Sequence, residues 1–186
     1  MLKLMYITNR PEVAQIAEQA GVDWIFVDME FIGKDARQGG LDTVQNHHTV
    51  EDVRRIKQSV TNAKVLVRVN PIHDALDNYP SSKDEIDATI EAGADILMLP
   101  FFHTVQEVEQ FIKYVGGRAK ICLLLETPSA AILLDDAKSA FLVGGVGAFL
   151  GDLFFYPTPM FVSLATHGLQ AVVICLIAHR AANKEV

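Results

Sequence analysis

Two carboxylates and a guanidinium stand where this chain can do chemistry. Glu126 closes the apolar run Ile121-Cys122-Leu123-Leu124-Leu125, and Asp152 follows Phe149-Leu150-Gly151, 26 positions later. That interval fits one strand–helix–strand step, in which two strand ends deliver oxygen ligands to the same mouth of a parallel barrel. Hard carboxylate oxygens suit Mg2+ or Mn2+, and two of them leave coordination positions for substrate and water. Arg68 sits near the end of an earlier run, Val65-Leu66-Val67-Arg68-Val69, and a buried guanidinium needs partners. Its planar fork grips a carboxylate in a way that lysine cannot reproduce. A cation and a guanidinium converging on one anion describe an enzyme. They leave the substrate unnamed.

Elements that could position these groups are legible around them. Apolar runs at about 3–7, 24–28, 65–69, 96–99, 121–125 and 146–150 have the length and continuity of buried parallel strands. Asn9 with Glu12, Thr49 with Asp52, Ser82 with Glu85 and Thr104 with Glu107 have capping-box spacing and predict four helix starts. The phrases Ala20-Gly21-Val22-Asp23 and Ala92-Gly93-Ala94-Asp95 read as one helix-to-strand corner used twice. This alternation predicts an α/β fold, either a (β/α) barrel of TIM type or a doubly wound sheet. One connection, from Phe31 to His48, is unusually long, and in barrels such loops cover the active face.

Composition bounds the rest. With 186 residues, 50% of them hydrophobic, the chain suits one domain spanning 1–186. A net charge of −7, from 16 basic and 23 acidic side chains, argues against a nucleic-acid partner. Cys122 and Cys175 show neither zinc nor disulfide spacing, which fits a reducing cytoplasm, and the N-terminus has no signal-peptide pattern. Residues 153–178 contain no Asp, Glu, Lys or Arg, and within a divergent segment, 153–186, the stretch 161–178 reads as a buried apolar helix or a weak membrane candidate. Pro157, Pro159, His167, Gly168 and Gln170 argue against a clean span. Such a helix packed on an open sheet or on another copy predicts a homo-oligomer. A shifted or incomplete reading frame would give the same pattern.

Four stretches resemble the HpcH/HpaI aldolase and citrate lyase β-subunit family: Ala20-Gly21-Val22-Asp23-Trp24-Ile25-Phe26-Val27-Asp28-Met29-Glu30, Val67-Arg68-Val69-Asn70-Pro71, Ala92-Gly93-Ala94-Asp95-Ile96-Leu97-Met98-Leu99-Pro100 and Leu124-Leu125-Glu126-Thr127-Pro128. The resemblance covers roughly residues 2–135. It implies an eight-stranded barrel that binds Mg2+ or Mn2+ and makes or breaks a carbon–carbon bond beside a 2-oxo acid or an acyl thioester. Glu126 and Asp152 take the places of the metal carboxylates, and Arg68 that of the residue holding the substrate carboxylate and enolate oxygen. Asp28 and Glu30, at the end of the second strand, face the same mouth and can order metal-bound water or assist proton transfer.

The chain also departs from that pattern. The family's acid–base histidine follows the strand-two glutamate, where this chain has Phe31, so His48 or His47 on the long loop are substitutes by proximity only. Asp152 lacks the family's usual preceding residues. Six plausible strands fall short of eight, since a full barrel takes about 250 residues. The expected activity is a metal-dependent aldolase acting on a small oxo acid. Its alternatives are an acyl-CoA lyase and an inactive family member kept as an assembly partner.

Overall fold

The computed structural model describes residues 3–33, 47–132 and 175–177. Strands β1 (Met5–Ile7), β2 (Trp24–Asp28), β3 (Lys64–Arg68), β4 (Ile96–Leu99) and β5 (Lys120–Leu124) lie side by side in chain order, all parallel. Between them run helices α1 (Pro11–Gln19), α2 (Val50–Ser59), α3 (Ser82–Glu91) and α4 (Val105–Val115), with a short α5 (Pro128–Ile132) after β5. Helical crossovers between neighbouring parallel strands wind the sheet in one sense, as in a TIM-type barrel. Among the described residues the barrel is not closed, and β1 pairs on one side only.

The sheet is apolar on both faces because each strand alternates between two cores. Ile25, Val27, Val65, Val67, Leu97, Leu99, Ile121 and Leu123 pack outward against Ala14, Val53, Ile56, Ile86, Val108 and Phe111 of the helices. Phe26, Leu66, Ile96, Met98, Cys122 and Leu124 form the second cluster, on the face that would line a barrel interior. Period two therefore decides which strand-end polar groups share that inner face: Asp28 follows Phe26, Arg68 follows Leu66 and Glu126 follows Leu124.

The corner read twice in the sequence is one structure used twice. α1 and α3 close on Ala20 and Ala92, and Gly21 and Gly93 then take φ of +87° and +103°, which a side chain disfavours. The aspartate two positions later hooks the strand beside it. Asp23 accepts the Leu4 N–H at 3.0 Å and donates its own N–H to the Leu4 carbonyl, also at 3.0 Å. Asp95 does the same with Val65, at 2.9 Å each way. The Asp23 and Asp95 carbonyls in turn accept the N–H of Lys64 and Lys120.

Capping boxes form at Thr49–Asp52 and Thr104–Glu107, as the spacing predicts. The other two starts are displaced. α1 begins at Pro11, whose missing N–H suits the first helical position, so Arg10 rather than Asn9 is the N-cap and Glu12 pairs with the Arg10 side chain at 2.8 Å. α3 is capped by Ser81, which accepts the Asp84 N–H, one residue before the expected Ser82. That shift carries Glu85 from a capping role to the buried stripe with Ser82, Ile86 and Thr89.

The expected strand at 146–150 lies outside the described residues. The sixth strand is β6 (Cys175–Ile177), and it runs antiparallel to β5, pairing Cys122 with Ile177 and Leu124 with Cys175. This corrects the helix expected to run through 178, at least over these three residues. A continuous apolar run has no period that separates a buried helix from a strand, and Val172-Val173-Ile174-Cys175-Leu176-Ile177 is rich in β-branched residues. No helix among the described residues is long and apolar enough to cross a membrane.

Candidate active site

Parallel pairing sets Asp28 directly opposite Arg68. Arg68 donates from Nε to Asp28 Oδ1 and from Nη2 to Asp28 Oδ2, each at 2.8 Å, a bidentate fork. Glu30 Oε2 lies 3.3 Å from the same Nε. The Arg68 guanidinium also sits over the Phe26 ring, 5.6 Å from its centroid. Asp28 and Glu30 are almost fully buried, at 2% and 3% exposure, so their charges are compensated at short range or not at all.

Burial works against the Arg68 cation. The Asp28 hydrogen bonds and charge, joined by the charges of Glu30 and Glu126, outweigh that penalty and raise its pKa above the ordinary value. Arg68 therefore stays a cation while partly shielded from water. Glu126, just after β5, adds its charge to those of Asp28 and Glu30 in favouring the cation.

Glu126 is steered by the end of β4. Its Oε1 accepts the Phe101 N–H at 2.9 Å. Phe101 holds φ at +48°, a left-handed backbone uncommon for a non-glycine residue and a form of strain that collects at working sites. Thr127 continues the bracket, donating from its hydroxyl to the Phe102 carbonyl at 2.9 Å. Asp152, the second expected metal carboxylate, lies outside the described residues. Among those residues no three His, Cys, Asp or Glu side chains gather as a metal site. The carboxylate of Glu126 is nonetheless the hard donor type that Mg2+ or Mn2+ takes.

The long loop returns to the site. His48 Nδ1 accepts the Asp28 N–H at 3.0 Å, which places the proton of a neutral ring on Nε2. His47 instead packs its ring on Phe31, at 5.0 Å between centroids, and Phe31 stacks on Tyr79 at 5.7 Å. An aromatic cluster thus forms around Phe31, and His48 is the histidine hydrogen-bonded to the end of strand two, through the Asp28 backbone.

Sequence reasoning missed Asn70. Its Oδ1 accepts the N–H groups of both Phe31 and Ile32 at 2.8 Å, and its Nδ2 donates to Glu85 Oε1 at 2.8 Å. The available signal was a polar residue directly after a buried strand, with a carboxylate on the apolar stripe of the next helix.

Comparison with known proteins bears on the family and the fold. The sequence model of HpcH/HpaI aldolase/citrate lyase matches residues 3–135, and that of the ECF-type riboflavin transporter, S component, matches residues 126–186. No curated protein matches the chain. Among solved structures, an HpcH/HpaI aldolase from Desulfitobacterium hafniense DCB-2 superposes with a TM-score of 0.50 at 14% identity, over 74% of this chain and 58% of that one. A phosphonopyruvate hydrolase in complex with oxalate and Mg2+ superposes with a TM-score of 0.50 at 17% identity, over 77% of this chain and 56% of that one. These likenesses show the fold, and the chain spans little more than half the length of either relative. With most of its length matched, from β1 past β5, the chain belongs to the HpcH/HpaI aldolase/citrate lyase family.

Proposed function

We propose that the chain carries the working half of a metal-dependent aldolase or lyase site that cleaves or forms a carbon–carbon bond beside the carbonyl of a small 2-oxo acid. The observation that carries this reading is Arg68, a half-buried cation held in a fork by Asp28 on the inner face of the sheet, with Glu30 beside it and the Glu126 charge acting on it. Asp28 fixes the Nε and Nη2 edge of the guanidinium. The Nη1 side then holds the substrate carboxylate and stabilises negative charge developing on the adjacent oxygen. Glu126 and Asp152 would hold a divalent cation, which supplies Lewis-acid stabilisation of that charge. Glu30 would move the proton, and His48, hydrogen-bonded to the Asp28 backbone, is the imidazole that would assist it.

The test is a retro-aldol assay with a 4-hydroxy-2-oxo acid in Mg2+ or Mn2+, comparing the parent chain with Arg68→Lys. Turnover lost in a folded variant supports the reading, and equal activity overturns it.

A second reading rests on a separate observation. Asp152 lies beyond the aldolase match and within the stretch that matches the transporter component. On this reading the chain lacks a complete pair of metal carboxylates and serves as a non-catalytic assembly partner. Calorimetric titration with Mn2+ separates the two. Binding that is abolished by Glu126→Gln and strongly weakened by Asp152→Asn favours the enzyme, whereas no binding by the parent favours the partner.

A further inference from the structure

We propose that Asn70 and Glu85 are positioning residues that set where Asp28 and Glu30 stand, by choosing which end of a nearly symmetric amide faces the β2 loop. The inference rests on the reading of Asp28, Glu30 and Arg68 as the working groups. None of these groups touches Glu85 in the hydrogen-bond network described above.

The backbone around Glu30 is bracketed on both sides. Before it, the Met29 N–H donates to the Arg68 carbonyl at 2.9 Å. After it, two consecutive N–H groups, of Phe31 and Ile32, converge on Asn70 Oδ1. Only a carbonyl oxygen can accept both, so the Asn70 amide must point its oxygen at the loop. A rotation of half a turn would present the NH2 group to two donors and release the loop.

Glu85 decides between those orientations. Its Oε1 accepts from Asn70 Nδ2 at 2.8 Å and from the Asn70 N–H at 3.3 Å, so only the amide's NH2 end is satisfied on that side. The carboxyl is buried, at 5% exposure, and its Oε2 has no hydrogen-bond partner among the described residues. Leaving a buried polar atom unpaired costs stability, and a packed apolar side chain would avoid that cost. The hydrogen bonds that the carboxyl does accept both come from Asn70. Burial pushes its pKa up, and those hydrogen bonds oppose the rise.

The experiment is site-resolved amide hydrogen exchange on the full chain, comparing Glu85→Met, Glu85→Gln and Asn70→Ala. Glutamine retains an acceptor for Asn70 Nδ2, whereas methionine fills similar volume without one. The expected result is exchange at Phe31 and Ile32 roughly tenfold faster in Glu85→Met and Asn70→Ala, the loss of about one hydrogen bond. Glu85→Gln should retain the parent rates, and β4 and β5 should be unaffected in all three. A merely structural role would instead loosen β4 and β5 together with the loop. Parent-like exchange at Phe31 and Ile32 in Glu85→Met, or equal loss in Glu85→Gln, overturns the proposal. Should Glu85→Met fail to fold, Glu85→Leu takes its place. If the parent chain shows no turnover, the functional reading fails on that measurement alone, and the exchange result still decides this one.

Discussion

Arg68 couples two free energies that separate substitutions can pull apart. Arg68→Lys keeps a cation beside Asp28 but loses the planar fork, so the fold should survive while kcat on a 2-oxo acid falls by about a hundredfold. Arg68→Ala leaves Asp28 buried without its partner and should lower stability by about 3 kcal/mol in urea titration, given some solvent at the arginine. Glu85 carries the opposite lesson. Its pKa is raised by burial above the ordinary 4.5, so its contribution to stability is full below that value and is lost as pH rises through the raised one. Urea midpoints measured from pH 4 to 8 should therefore decline less steeply in Glu85→Gln than in the parent. An identical slope would show that Glu85 does not titrate in the folded range. Arg68, Asp28, Glu30 and Glu126 were legible because charges at the ends of apolar runs are conspicuous. Glu85 was hidden by a competing local pattern, since Ser82 with Glu85 has the same spacing as the true cap, Ser81 with Asp84.

At the scale of elements, two capping boxes and two glycine corners were read correctly because each is a local arrangement that a few residues determine. The Gly93 corner offers a direct test. A Cβ there would come within 2.6 Å of Lys57 Cγ, at a φ that side chains avoid, and Lys57 is the residue that pairs with Asp95 at 2.7 Å. Gly93→Ala should cost about 1–3 kcal/mol by thermal or urea unfolding. Gly21, where a Cβ would meet nothing within 4 Å, should lose only the backbone part of that when changed to alanine. What was not legible depends on distant partners. The direction of β6 follows from its pairing with β5, and no window of sequence around Cys175 contains that information.

For the whole molecule, the edge of β1 bears on behaviour in solution. Leu4 and the β1 residues Met5, Tyr6 and Ile7 are 42–48% exposed, and β1 pairs on one side among the described residues. An apolar edge of this kind invites pairing with another chain, and a lysine placed on it opposes that. Sedimentation velocity should show association that Tyr6→Lys reduces, with a parallel fall in ANS binding. A parent chain that sediments as a monomer and binds no ANS would contradict this. The expectation that residues 153–178 are buried in such an assembly falls outside the described residues. The paired aspartate corners bear on a different property, the tolerance of this scaffold to change. Asp23 and Asp95 latch the start of each neighbouring strand through two short contacts, so the floor of the sheet is indexed residue by residue. One extra residue between Gly93 and Asp95 would carry the carboxylate off Val65 and shift a whole strand. The opposite rim, where residues 69–81 connect β3 to α3, can absorb an insertion beyond Asn70 as a change of loop. The rim can therefore vary by lengthening and shortening loops, while the floor keeps count.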